Sequence, residues 1–150
     1  MSTTQNGLDA VEFHLSLPHW QTMISESKRL APQEACGLIL GHTMQGQFQV
    51  VEVRPVENVY KSPYRYRMDP QQQIQIFLEM EQRDLHLVGI YHSHPTGPEH
   101  PSATDIQEAY YPEAVYLILS PQLEEWQMQA FLIRENEFFP VKLRIVETHD

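Results

Sequence analysis

The chain has 150 residues, a formal net charge of -10 and a single cysteine, Cys36. That length suits one domain that folds without covalent staples, and a lone cysteine excludes an intrachain disulfide and a cysteine-based zinc knuckle. The acidic balance and the lack of clustered lysine or arginine argue against nucleic acid and anionic membranes as partners, because phosphate binding needs grouped cations.

No repeat, low-complexity tract or linker divides the sequence, so residues 1–150 are read as one domain, with 1–9 and 147–150 as frayed ends. Met1 to Asp9 lacks the basic start and apolar run of a signal peptide, and no stretch is apolar enough to span a bilayer. A cytoplasmic protein is expected. Val11 to Leu17 alternates like a strand, and Pro18 opens a helix over roughly His19 to Ala31 that ends at Pro32. Glu34 to Gly41 is a short apolar run closed by glycine, the pattern of a buried strand. Gln47 to Val56 alternates as a strand with one wet face. Asp69-Pro70 has N-cap and first-turn chemistry, and Ile74, Phe77, Leu78 and Glu81 follow at helical spacing to about Arg83.

Leu87 to Tyr91 is the next buried strand and delivers His92 and His94 at its end. Ser102 to about Tyr111 reads as a helix, Val115 to Leu119 as a strand, and Trp126 to Ile133 with Phe138 to Val146 as a hairpin. Strands interleaved with about three helices make a mixed α/β domain.

The segment His92-Ser-His94-Pro95, six residues, Ser102, two residues, Asp105 carries the chemistry. Histidines two apart on an extended backbone point to one face and can offer two imidazole nitrogens to one metal. Pro95 takes the chain out of the sheet, and the stiff loop Thr96 to Pro101 can return Asp105 toward the histidines. Two histidines and one carboxylate leave a fourth zinc position open, as in catalytic rather than structural sites. Glu34 is the candidate base, since a carboxylate leading an apolar strand needs a partner to justify its burial. Ser102 is placed to donate to the oxyanion of a tetrahedral intermediate. Ser102-x-x-Asp105 is also a helix capping signature, and the two roles are compatible.

With Glu34, this spacing resembles the JAMM (MPN+) metallopeptidase motif at every defining position, and the wider likeness runs from about Val11 to Val146. The resemblance implies a single-domain cytidine-deaminase-like α/β fold, a curved mixed sheet flanked by helices. It implies one Zn2+ per chain on His92, His94 and Asp105, with Glu34 as general base and Ser102 as oxyanion donor. It also implies hydrolysis of peptide or isopeptide bonds at the C-terminal Gly-Gly tail of small β-grasp proteins of the ubiquitin-like or sulfur-carrier kind. The chain has no room for the insertions of the eukaryotic deubiquitinases and looks more like compact prokaryotic members. An extended tail is expected along a sheet edge.

Competing readings are a non-catalytic scaffold module of the same fold, a cysteine hydrolase built on Cys36 and His92, and a DNA-associated role like that of the RadC-like branch, which the charge opposes. His42 and His100 are candidate cleft residues, more simply read as surface. Tyr60 to Tyr66 is either a groove wall or a loop packed over the core. Oligomeric state is open, a homodimer included.

Overall fold

The computed structural model describes residues 11–147. The expected fraying of 1–9 and of 148–150 lies outside them. Seven strands and three helices follow in order: β1 Glu12–Ser16, α1 Leu17–Leu30, β2 Cys36–Met44, β3 Gln47–Val56, α2 Pro70–Arg83, β4 His86–Ser93, α3 Ala103–Gln107, β5 Val115–Gln122, β6 Glu125–Arg134 and β7 Glu137–Val146.

The strand order is β1-β3-β2-β4-β5-β6-β7, and the sheet closes because β1 also pairs with β7, in parallel from Glu12 opposite Lys142 to Ser16 opposite Val146. The expected mixed sheet is thus a closed barrel, and each strand has a partner on both sides. Strand β1 covers only Gln47 to Gln49 of β3, so the rest of β3, to Val56, is paired with β2 on one side alone and keeps an open edge. No helix among the described residues is long and apolar enough to cross a membrane.

Both long helices start where local chemistry dictates. Ser16 caps α1, its hydroxyl accepting from the His19 amide, and Asp69 caps α2 by accepting from the Gln71 amide, each with proline in the first turn. Helix α1 buries Met23 and Ile24 against one apolar cluster that holds Phe13, Leu15, Ile39, Val88, Tyr91 and Leu117. The opposite face of the central strands carries Cys36, Leu38, Leu40, Ile90 and Tyr116, covered by Ile76, Phe77 and Met80 of α2 and by Ile106 of α3. Of the residues at helical spacing in α2, Ile74 and Leu78 are exposed and Phe77 packs on the core, while Ile76 takes the buried position.

The third helix is shorter than expected and stops at Gln107 rather than Tyr111. Beyond it the backbone turns, the Tyr111 amide donates to the Tyr116 hydroxyl at 3.1 Å, and Pro112 follows. Strand β4 sits centrally between β2 and β5, and Val88 to His94 is buried throughout. Its end is the floor of the site.

Candidate metal centre

Strand β4 alternates its side chains, so Ile90, His92 and His94 share the face that α2 and α3 cover. Antiparallel pairing sets Cys36 opposite His92, and two further places along this register bring Glu34 opposite His94. The bonds between Ser93 and Ala35 hold that register, with the Ser93 amide donating to the Ala35 carbonyl at 3.0 Å and the Ala35 amide donating to Ser93 Oγ at 2.7 Å. The His94 amide donates to the Leu119 carbonyl at 2.8 Å, which carries the ladder one residue past β4 before Pro95 ends it.

The loop after Pro95 leads into α3, and Ser102 and Asp105 form a full capping box. The Asp105 amide donates to Ser102 Oγ at 3.0 Å, and the Ser102 amide donates to Asp105 Oδ2 at 2.9 Å. The same Oδ2 lies 3.1 Å from His92 Nε2 and 3.0 Å from His94 Nε2, and the two Nε2 atoms are 3.0 Å apart. His94 Nδ1 lies 2.7 Å from the Pro98 carbonyl, an oxygen that only accepts, so Nδ1 carries the proton and Nε2 presents its lone pair.

Three potential ligand atoms, His92 Nε2, His94 Nε2 and Asp105 Oδ2, therefore converge within about 3.1 Å of one another. A tetrahedral zinc with bonds of roughly 2.0–2.1 Å spaces its ligands about 3.3 Å apart, close to what is seen. Among the described residues this is the one grouping of three or more His, Cys, Asp or Glu side chains able to hold a metal ion. The donor set fits such an ion.

Burial would raise the Asp105 carboxyl, but the two imidazoles and the Ser102 amide outweigh it and hold it well below the ordinary carboxylate range. Burial pushes His92 down against the pull of Asp105, whereas at His94 the same burial is outweighed by Asp105 and the Pro98 carbonyl, and the ring is raised. Glu34 is 3% exposed, its Oε1 has no hydrogen-bond partner, and burial, opposed by His94 and reinforced by Asp105, lifts its carboxyl to about 8. A buried carboxyl oxygen left without a partner is the signature of a group that meets water or a ligand.

Cys36 shares this face but is held as a thiol. Burial and then Glu34 push it up to about 12, and Sγ donates to the Val56 carbonyl at 3.4 Å. A nucleophilic Cys36–His92 pair is incompatible with that environment, because the thiolate is the reactive form. His42 and His100 lie outside the cluster and are exposed, with His100 stacked on Phe138.

Two supporting residues, Asn58 and Ser93, escaped the sequence reading, and a third, Tyr66, entered it only within the Tyr60 to Tyr66 stretch. Asn58, buried in the connection after β3, donates to the Glu34 carbonyl at 3.1 Å and the Arg65 carbonyl at 3.2 Å, and its oxygen accepts from the Tyr60 and Arg67 amides. Tyr66 stacks on the His92 ring with centroids 4.6 Å apart, holding a ring whose own Nδ1 has no partner. Ser93, inside the histidine motif, is a clamp on Ala35 rather than a ligand. An asparagine in a polar loop is an ordinary turn residue in sequence, and only the fold shows what it ties together. Tyr60 and Tyr66 also line a cavity of about 440 Å³ with Arg67, Met68, Tyr110 and Tyr111. The Tyr60 to Tyr66 loop is therefore both a cover over the core and a wall of the cavity.

The fold and the cluster define a mixed α/β barrel whose central strand and third helix offer a His, His, Asp ligand set. Residues 16–132 match the family of prokaryotic homologs of the JAB domain, and the chain belongs to that family. The chain is 36% identical over 98 residues to a CysO-cysteine peptidase of Mycobacterium tuberculosis, a match over 65% of this chain and 66% of that protein, just under two thirds of its length. It is 37% identical over 105 residues to a desampylase of Haloferax volcanii, over 67% of this chain and 74% of the relative. A solved protein from Desulfitobacterium hafniense superposes with a TM-score of 0.82 at 29% identity, covering 92% of this chain and 95% of the other.

Proposed function

We propose that residues 1–150 act as one zinc-dependent peptidase domain, working in the cytoplasm, that hydrolyses the bond at the C-terminal Gly-Gly tail of a small ubiquitin-like or sulfur-carrier protein. The observation that carries this reading is the convergence of the His92, His94 and Asp105 donor atoms beside the buried, unpartnered carboxyl of Glu34. The relatives named CysO-cysteine peptidase and desampylase support the substrate class.

A zinc ion on His92, His94 and Asp105, one per chain, supplies polarisation of the scissile carbonyl and a water acidic enough to ionise near neutral pH. Glu34 takes a proton from the attacking water as the new C–O bond forms, then passes it to the departing nitrogen as the C–N bond breaks. The Glu34 carboxyl holds that proton between the two steps, and the products are a tail carboxylate and a free amine. Ser102 uses its oxygen to accept from the Asp105 amide, which leaves its own proton free to meet the carbonyl oxygen as charge develops there. The tail itself lies in the tyrosine-walled cavity beside Tyr66, where glycines pass because they carry no side chain.

The test is the metal content of purified wild type and His92→Ala, followed by cleavage of a carrier with a Gly-Gly-linked extension by wild type and Glu34→Gln. About one zinc per chain, lost in His92→Ala, and a rate reduced roughly 10²–10⁴-fold in Glu34→Gln are expected. Metal-free folded wild type after zinc is supplied, or a fully active Glu34→Gln, would overturn the reading.

A further inference from the structure

A strand sets the direction of a histidine's Cα–Cβ bond, but the torsion that turns the ring is broad and roughly two-fold. A ring that must present one nitrogen to a metal therefore needs something besides the strand to hold its plane. Metal-binding histidines generally meet this need by donating from the other ring nitrogen to a carboxylate or carbonyl. His94 does so, with Nδ1 2.7 Å from the Pro98 carbonyl. Asp105 is likewise steadied from outside the cluster, by the Ser102 amide. His92 has no such bond. Its Nδ1 is buried without a partner, and its Nε2 meets only His94 and Asp105.

What lies flat against the His92 ring is Tyr66, with centroids 4.6 Å apart and planes 27° from parallel. Tyr66 is itself held in place through its neighbours on both sides. Asn58 Nδ2 donates to the Arg65 carbonyl at 3.2 Å, and Asn58 Oδ1 accepts from the Arg67 amide at 3.0 Å. The Val59 amide donates to the Arg67 carbonyl at 2.8 Å, and Asn58 pairs with Met68 in an isolated antiparallel bridge. Asn58 is buried, and the same Nδ2 donates to the Glu34 carbonyl at 3.1 Å. The loop is thus tied to the floor of the site, and it sets a phenol ring on the one candidate ligand that lacks an outside hydrogen bond.

We infer that Tyr66 is a positioning residue for the metal centre: its ring does for His92 what the Pro98 carbonyl does for His94, fixing the plane in which Nε2 faces the ion. This role rests on His92 as a metal ligand. A residue that only covered the core could be any apolar group of similar bulk, whereas a stack requires an aromatic ring. Phenylalanine and leucine therefore separate the two.

Zinc affinity is measured by competition with a chromophoric chelator for wild type, Tyr66→Phe, Tyr66→Leu and His92→Ala, beside urea unfolding of each metal-free protein. Tyr66→Phe should stay within about twofold of wild type, and folded Tyr66→Leu should bind zinc at least about tenfold more weakly, the lower end for loss of a group that orients a ligand. In proton NMR of the zinc-loaded wild type, the His92 ring signals, assigned through His92→Ala, should be shifted upfield by the Tyr66 ring current. That shift should persist in Tyr66→Phe and vanish in Tyr66→Leu. The wild-type spectrum tests the stack even where the leucine variant does not fold, because His92 signals without the shift overturn this role. A folded Tyr66→Leu that binds zinc as wild type does also overturns it. So does a Tyr66→Phe that loses as much affinity as Tyr66→Leu, since the hydroxyl would then carry the effect. Undiminished zinc binding by His92→Ala overturns the metal assignment instead, and this role with it.

Discussion

Ser102 and Asp105 each accept a hydrogen bond from the other's backbone amide, and the Asp105 oxygen engaged in this exchange is the one that faces both imidazoles. The start of α3 and the third member of the candidate ligand set are thus one structure. Replacing Ser102 removes two things that can be told apart. Ser102→Ala deletes the cap and the oxyanion donor and should cost about 1 kcal/mol of stability, whereas Ser102→Gly should cost only a few tenths. Both should lower kcat by roughly 10²–10³. Chemical denaturation and steady-state kinetics on the two variants check this, and a catalytic loss that follows stability rather than the hydroxyl would reduce Ser102 to a cap.

Glu34 gives the metal-free protein a pH dependence of definite sign. Its folded carboxyl titrates at about 8 against an ordinary value of 4.5, so between those limits the folded state holds more protons than the unfolded one. Stability on this account is full below about 4.5 and is lost as pH rises through about 8. The slope reaches about 1.4 kcal/mol per pH unit where the states differ by a whole proton, or a few kcal/mol across the window. Other groups titrate there too, His94 among them, so the measurement is the difference between wild type and Glu34→Gln in urea unfolding at pH 5 and pH 8. Wild type should lose more stability than the variant. Parallel losses would mean that Glu34 is not buried as a neutral acid.

Zinc should stabilise the fold, because its ligands are brought together only by β4 and α3. At a free concentration about 100 times Kd the gain is about 2.7 kcal/mol, which for a chain of this size raises Tm by roughly 5–10 °C. His92→Ala and Asp105→Asn should each abolish most of the shift in a calorimetric scan. An undiminished shift in either variant would place the ion elsewhere.

What could be read from the sequence was what is local. His92 and His94 share a face because they are two apart on a strand, and the Ser102 and Asp105 exchange is a four-residue pattern with its own hydrogen bonds. The caps at Ser16 and Asp69 are local in the same way. What could not be read depends on distant partners. Helix α2 carries two apolar stripes, Ile74 with Leu78 and Ile76 with Phe77 and Met80, and only the sheet beneath decides that the second is buried. Closure of the barrel pairs Glu12 with Lys142, a match between chain ends that no window of sequence contains. Asn58 likewise bonds to Glu34 across 24 residues.

Gly37 connects the packing of the barrel to the site. Strand β2 pairs it with Tyr91 of β4, and a Cβ there would lie 2.2 Å from Tyr91 Cε2 and 2.7 Å from the Arg54 carbonyl oxygen. The ring contact can be relieved by moving or trimming Tyr91, but the carbonyl belongs to the β3 backbone and cannot yield without breaking the ladder. Gly37→Ala should therefore destabilise by about 3 kcal/mol or more, the upper end for overpacking. Adding Tyr91→Leu should recover only part of that loss, since the clash with Arg54 persists, and a double-mutant cycle in urea measures the shared portion. The residues on either side, Cys36 opposite His92 and Leu38 opposite Ile90, move with this strand. A folded Gly37→Ala should accordingly bind zinc more weakly although no ligand has changed. Full stability in the single variant would show that the strand can shift at Gly37, and that the pairing of β2 with β4 does not fix Glu34 over His94.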